Sequence, residues 1–160
     1  WLRNSEARQG SESSMSEKYQ GKHEARILAV ETLYALDFNN ELNTGADLTL
    51  LPGKSGEEMA QLDEEVVFYA RFLIRGVLEH LDQIDAAISK YSINRPIERI
   101  NYVDRNILRI SVFSMIYARD VHPSIVIDEA VKLSQEMSTD VTYKFINGLL
   151  DALRKEELKA

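Results

Sequence analysis

The stretch Tyr102-Val-Asp-Arg-Asn-Ile-Leu-Arg-Ile-Ser-Val-Phe-Ser-Met-Ile-Tyr-Ala-Arg119 decides the fold, and it holds neither Gly nor Pro. Val103, Ile107, Ile110, Ser114 and Tyr117 recur at spacings of three and four, and Leu108, Val112, Met115 and Ile116 widen that stripe around a helical cylinder. The polar side is thin: Asp104, Arg105 and Arg109, with Arg119 near the end, where a cation suits the helix dipole. A helix apolar over most of its circumference belongs inside a bundle. The charged residues at its start are read as an exposed strip able to meet a partner.

Toward the N-terminus, residues 92–100 read as a connector with a helical turn after Pro96, a residue that favours the first helical position. A short helix over 83–91 precedes it, with Ile84, Ala87, Ile88 and Tyr91 inward. Before that, Leu62, Val66, Tyr69/Ala70, Leu73, Val77 and Leu81 predict one long helix over 57–81. Gly76 inside it costs ~1 kcal/mol relative to Ala and is read as a place of close helix approach. Gly45, Pro52, Gly53 and Gly56 make 39–56 a loop, and Ala25, Leu28, Ala29, Leu33 and Leu36 predict a first helix over 22–39.

Toward the C-terminus, Asp120-Val-His-Pro breaks the central helix. Helices over 124–137 and 140–158 follow, the second with Ser138/Thr139 as its expected N-cap. No stretch alternates with period two. The expectation is all-α: a compact bundle of six to seven helices, arranged as two helical subdomains around the central apolar helix. Residues 1–20, rich in Ser, Glu, Gln and Gly, are read as disordered, with Met15 a candidate initiator; residues 21–160 are read as one domain.

A chain of 160 residues can bury a core of its own. It has no cysteine, which excludes disulfides and thiolate metal sites and fits the cytoplasm, and no apolar run long enough to span a bilayer. The net charge of −7 is unevenly spread: residues 1–38 contribute −1, residues 39–90 contribute −6, and residues 91–160 contribute 0. The acidic middle favours a basic partner and leaves the two ends free to carry cationic patches.

No Gly-rich phosphate loop, nucleophile elbow or Ser/His/Asp arrangement is present, so no catalytic residue, cofactor or metal is expected. His80, Asp82 and Asp85 sketch a metal site but straddle a helix end, where polar residues gather anyway. Asp128-Glu129 opens a helix, where acids suit the dipole. Lys22, His23 and Arg26 are less easily explained, because cations at a helix start oppose the dipole.

Several stretches resemble the NusB family of bacterial transcription antitermination factors. They are Ala25-Arg26-x-x-Ala29-Val30-x-x-Leu33-Tyr34; Tyr69 to Val77, ending Gly76-Val77; Ile107-Leu108-Arg109-Ile110; Ile127-Asp128-Glu129-Ala130-Val131; and Lys144-Phe145-Ile146-Asn147-Gly148-Leu149-Leu150-Asp151. The resemblance implies an all-helical, non-enzymatic domain that binds single-stranded boxA-like RNA together with NusE, a ribosomal protein. It further implies support of ribosomal RNA transcription within an RNA polymerase antitermination complex. By the same resemblance Lys22, His23, Arg26, Tyr34, Asp140, Lys144 and Phe145 are expected at the RNA, and Glu98 and Asp104 at NusE. Where relatives carry a run of arginines, this chain has Lys22, His23 and Glu24, which implies weaker or more salt-sensitive RNA binding. Two alternatives stay open. One is a fragment resembling the N-terminal domain of a ribosomal RNA cytosine methyltransferase; the other is a helical adaptor without an RNA role, for instance a homodimer.

Overall fold

A computed structural model describes residues 22–45, 47–49, 51–93, 95–139 and 141–158; the disorder expected for 1–20 lies outside them. Among the described residues there is no strand and there are seven α-helices: α1 (22–38), α2 (Gly56–Gln61), α3 (Glu64–Glu79), α4 (Leu81–Tyr91), α5 (Tyr102–Phe113), α6 (Pro123–Met137) and α7 (Thr142–Glu157). The expected turn after Pro96 is a 3-10 turn, Ile97–Arg99.

The all-α expectation holds, and α5 is central, packing against α3, α4, α6 and α7. Its start is set by Asn101, whose side-chain oxygen accepts the Asp104 backbone N–H at 2.8 Å. Ile107, Leu108, Ile110 and Val112 are buried in an apolar cluster that runs from Ala25 of α1 to Leu153 of α7. The α-helix ends at Phe113, passes through a π turn over Ser114–Ala118, and stops at Arg119, which adopts a left-handed φ of 52°.

The charged residues at the start of α5 do not form an exposed strip. Asp104 and Arg109 are 1% and 4% exposed. Arg109 donates Nε and Nη2 to the two Asp85 oxygens at 2.9 and 3.0 Å, and Nη1 to Asp37 at 2.9 Å. Arg105 donates to both Asp37 oxygens, and Asn106 Nδ2 adds a further bond at 3.0 Å. Carboxylates reaching in from α1 and α4 are what allow two guanidinium groups to leave water. Burial works against the Asp37 charge, but the hydrogen bond from Arg105, the charge of Arg109 and the Asn106 amide together hold its pKa below the usual carboxylate value.

Three boundaries also differ. The helix expected over 57–81 is two helices, because Asp63 caps α3 by accepting the Glu65 N–H at 2.9 Å, and Ser55 and Glu58 close a capping box around α2. Its last expected residue, Leu81, opens α4 instead. Neither Ser138 nor Thr139 caps α7: the residue before that helix is Val141, which offers no side-chain cap, and the Thr142 hydroxyl turns back to the Thr139 carbonyl at 3.0 Å. Gly76 does mark a close approach, since a Cβ there would lie 2.1 Å from the Phe113 ring.

Candidate nucleic-acid interface

The start of α1 packs along α6, and the charges there are arranged around one buried acid. Glu129 is 3% exposed. Its Oε2 lies 2.9 Å from His23 Nδ1 and 3.7 Å from Arg26 Nη1, and its Oε1 lies 4.0 Å from Lys132 Nζ. The other ring nitrogen of His23, Nε2, is 3.0 Å from Glu136 Oε2. Burial disfavours the charged ring, but the hydrogen bonds to Glu129 and Glu136 outweigh it and raise the His23 pKa.

Arg26 is 4% exposed, and its Nη2 is buried without a hydrogen-bond partner. Its guanidinium carbon is 6.0 Å from the centroid of the Tyr69 ring, and Lys22 Nζ is 5.4 Å from the same centroid. The Tyr69 hydroxyl donates to Asp120 at 2.9 Å. Burial is the largest of the effects that push its pKa far up, so it stays a neutral donor.

A groove between α6 and α7, of about 500 Å³, is lined by Lys132, Gln135, Tyr143, Lys144 and Asn147 together with Asp128 and Val131. Lys132 therefore stands at both places, beside Glu129 and in the groove with Lys144. Phe145, one residue on, is half-buried, with the Arg95 guanidinium 4.6 Å from its ring centroid. Tyr34 is not part of the Lys22–Arg26–Tyr69 group. It forms an exposed aromatic triplet with Phe38 and Tyr102, at centroid distances of 6.1 and 5.8 Å.

The structure thus joins Lys22, His23 and Arg26 around Tyr69 and Glu129, places Lys144 in the neighbouring groove, and leaves Tyr34 on a separate patch. Asp140 lies outside the described residues. Glu98 is exposed. Asp104 is not: its carboxylate accepts from the Asn101 side-chain amide and from Ser134 Oγ at 3.2 Å. The expectation that Asp104 meets a partner is corrected accordingly, because capping at the start of α5 and the packing of α6 occupy it.

Sequence reasoning misses Lys132 and Arg95, since an isolated exposed cation carries no periodic signal. It also misses the role of Glu129. An acid near a helix start is sufficiently explained by the dipole, and no local pattern shows that this one is the buried counter-ion of α1. Among the described residues no group of His, Asp and Glu could hold a metal. Two of the residues that sketched one are engaged elsewhere, His80 stacked on Tyr117 at 3.9 Å and Asp85 bound to Arg109.

An all-helical domain whose first helix sets Lys22 beside an aromatic ring, next to a groove lined by two lysines and an aspartate, has the make-up of a helical binding module. Comparison with known proteins narrows the class. The NusB family description matches residues 23–155. Transcription antitermination protein NusB of a Nitratiruptor species is 38% identical over 136 residues, covering 84% of this chain and 92% of that protein. Its counterpart in Treponema denticola is 36% identical, covering 85% and 97%. A crystal structure of antitermination factors NusB and NusE in complex with dsRNA superposes with a TM-score of 0.71 at 29% identity, covering 85% of this chain and 97% of that one. The chain belongs to the NusB family.

Proposed function

We propose that this chain is a transcription antitermination factor that binds boxA-like single-stranded RNA together with NusE, within an RNA polymerase antitermination complex in the cytoplasm. It acts by binding and not by catalysis, with residues 21–160 working as one domain. No helix among the described residues is long and apolar enough to cross a membrane.

The observation that carries this reading is the placement of Lys132, which adjoins the α1 cations through Glu129 and lines the α6–α7 groove with Lys144. Ammonium groups on three helices, half-exposed at Lys22 and exposed at Lys132 and Lys144, offer a path for successive phosphates. Phe145, backed by Arg95, offers a ring face to a base at its edge. His23 and Arg26 act mainly by holding α1 on α6, since both are committed to Glu129. That leaves few free cations and fits weak binding by the chain alone. For the protein partner, Glu98, exposed on the 3-10 turn before α5, supplies an acid suited to basic NusE.

The test is a fluorescence-polarisation titration with a boxA-like single strand across a salt series, with and without NusE and with the matching duplex as comparison. Lys132→Ala with Lys144→Ala lowers affinity for the single strand and flattens the logarithmic salt slope by ~0.7 for each phosphate contact removed. Glu98→Lys leaves binding of RNA alone intact and reduces the gain on adding NusE. Unchanged affinity and slope in the double variant would place the RNA elsewhere, and a preference for the duplex would remove single-strand recognition.

A further inference from the structure

The groove between α6 and α7 holds more hydrogen-bonding groups than a track for phosphates needs. Asp128, Lys132 and Gln135 are spaced four and three along one face of α6, and Tyr143, Lys144 and Asn147 line the groove from α7. Tyr143 is half-buried and the other five are exposed. Lys132 lies 4.0 Å from Glu129 Oε1, whereas the remaining five side chains make no hydrogen bond or ion pair with any described residue. A concave site of about 500 Å³ with so many unused donors and acceptors has the make-up of a ligand site.

Asp128 says which ligand. It is the sixth residue of α6, beyond the first turn in which the helix dipole favours an acid. In the same groove as two lysines its carboxylate repels a phosphate, so the site is not built for the RNA backbone alone. A carboxylate only accepts, and two adjacent N–H donors satisfy it best. Among the four RNA bases guanine alone offers these, its N1–H beside its N2 amine. Adenine and cytosine set one amine next to a ring-nitrogen acceptor, and uracil sets one N–H between two carbonyls, so each turns a lone pair toward the second carboxylate oxygen. The O6 and N7 acceptors of guanine then fall to the amides of Gln135 and Asn147, and the flanking phosphates to Lys132 and Lys144. Tyr143 and Val131 give the groove an apolar wall for the plane of the base.

We propose that the α6–α7 groove is a subsite for a guanine of single-stranded RNA, and that Asp128 is the residue that selects it. The subsite rests on the RNA-binding function proposed for the chain and refines it. The lysines supply affinity for any strand, and Asp128 supplies the preference among bases.

Polarisation titrations of the full chain with NusE test this, using oligouridylate strands that carry one central guanosine, inosine or adenosine. Inosine keeps N1–H and lacks the N2 amine. The wild type binds the guanosine strand ~10-fold more tightly than the adenosine strand, with inosine between them. Asp128→Asn removes an exposed charge that no described residue uses, and it erases this ranking. The variant binds the adenosine strand at least as tightly as the wild type does, because a repulsive charge is gone, so its loss of preference is not a loss of fold. A wild type that binds all three strands alike overturns the subsite and leaves RNA binding standing; failure to bind any strand overturns both. A ranking that survives in Asp128→Asn, or a variant that tightens all three strands equally, reduces Asp128 to a surface charge and also overturns the subsite. If the wild type is indifferent to the base and Asp128→Asn weakens capture of NusE, the groove is a protein contact and the guanine subsite is refuted.

Discussion

His23 occupies a position where a phosphate-contacting cation was expected, yet both its ring nitrogens are used within the protein. Carboxylate oxygens at 2.9 and 3.0 Å on the two sides require both nitrogens to donate, so the bridged ring is the imidazolium. The groups facing it are Glu129 and Glu136 of α6, with Arg26 on its own helix and Lys132 on the far side of Glu129. Its pKa in the folded chain is raised, because the two carboxylates overcome the burial that opposes the charge. A raised pKa contributes stability that is fully present below the unfolded value, ~6.5, and is lost as pH rises through the folded pKa. The melting temperature of His23→Gln therefore falls furthest below that of the wild type at pH under the unfolded value of ~6.5, and the gap narrows as pH rises from there through the folded pKa. A gap that stays constant across this range in thermal denaturation would mean that the ring is neutral when bridged. Nothing in the local sequence shows this clasp, because Glu129 and Glu136 stand more than 100 residues away in the chain. The same distance hid the burial of Arg26.

Element boundaries were legible where the signal is a period and lost where it is a cap. The stripe Leu62, Val66, Ala70, Leu73, Val77 continues through Asp63, so periodicity alone gives no reason to break the helix there. The break comes from the Asp63 carboxylate competing for a backbone N–H, a choice between two locally good conformations that packing decides. Gly76 is legible for a different reason: a glycine deep in a helix costs stability unless a neighbour needs the space. Its replacement by Ala sets two effects against each other. Helix propensity favours Ala by ~1 kcal/mol. Against that, the new Cβ would lie 2.1, 2.2 and 2.6 Å from three atoms of the Phe113 ring, and that ring is 5% exposed and hemmed by Phe72, His80 and Tyr117. Overpacking of this kind costs ~1–3 kcal/mol and outweighs the propensity gain. Gly76→Ala is thus destabilising in chemical denaturation, and adding Phe113→Leu, which withdraws the ring, recovers part of the loss. A stabilised single variant would show that the ring moves aside freely.

At the scale of the whole molecule, α1 is a strap fastened at both ends. Its first turn is held to α6 through His23, Arg26 and Glu129, and its last turn holds α5 through Asp37. The central apolar helix and the all-α class were plain in the sequence, since the pattern of α5 repeats in its neighbours. The polar skeleton was not, because a charge can be assigned to solvent or to an ion pair only once the helix that supplies its partner is known. Asp37 is the member on which this skeleton depends most. Its carboxylate is the acceptor for Arg105, Asn106 and Arg109, and Arg109 passes the connection on to Asp85 of α4. Asp37→Ala leaves Arg105 without its carboxylate and Arg109 with Asp85 as its one carboxylate beside the Asn106 amide oxygen at 3.0 Å, and loss of one partner from a buried pair costs ~3–5 kcal/mol. Asp37→Asn keeps the shape and one acceptor oxygen, so it costs less. The effect also depends on pH: a depressed carboxylate pKa contributes stability that is present above the unfolded value, ~3.9, and is lost as pH falls through the folded pKa. The wild type is therefore expected to lose its advantage over Asp37→Asn progressively on acidification below about pH 4. Hydrogen exchange at neutral pH reads the structural consequence, since α1, α4 and α5 are joined by this network and should lose protection together in Asp37→Ala. Loss confined to α1 would show that Arg109 and Asp85 suffice to hold α4 on α5 without it.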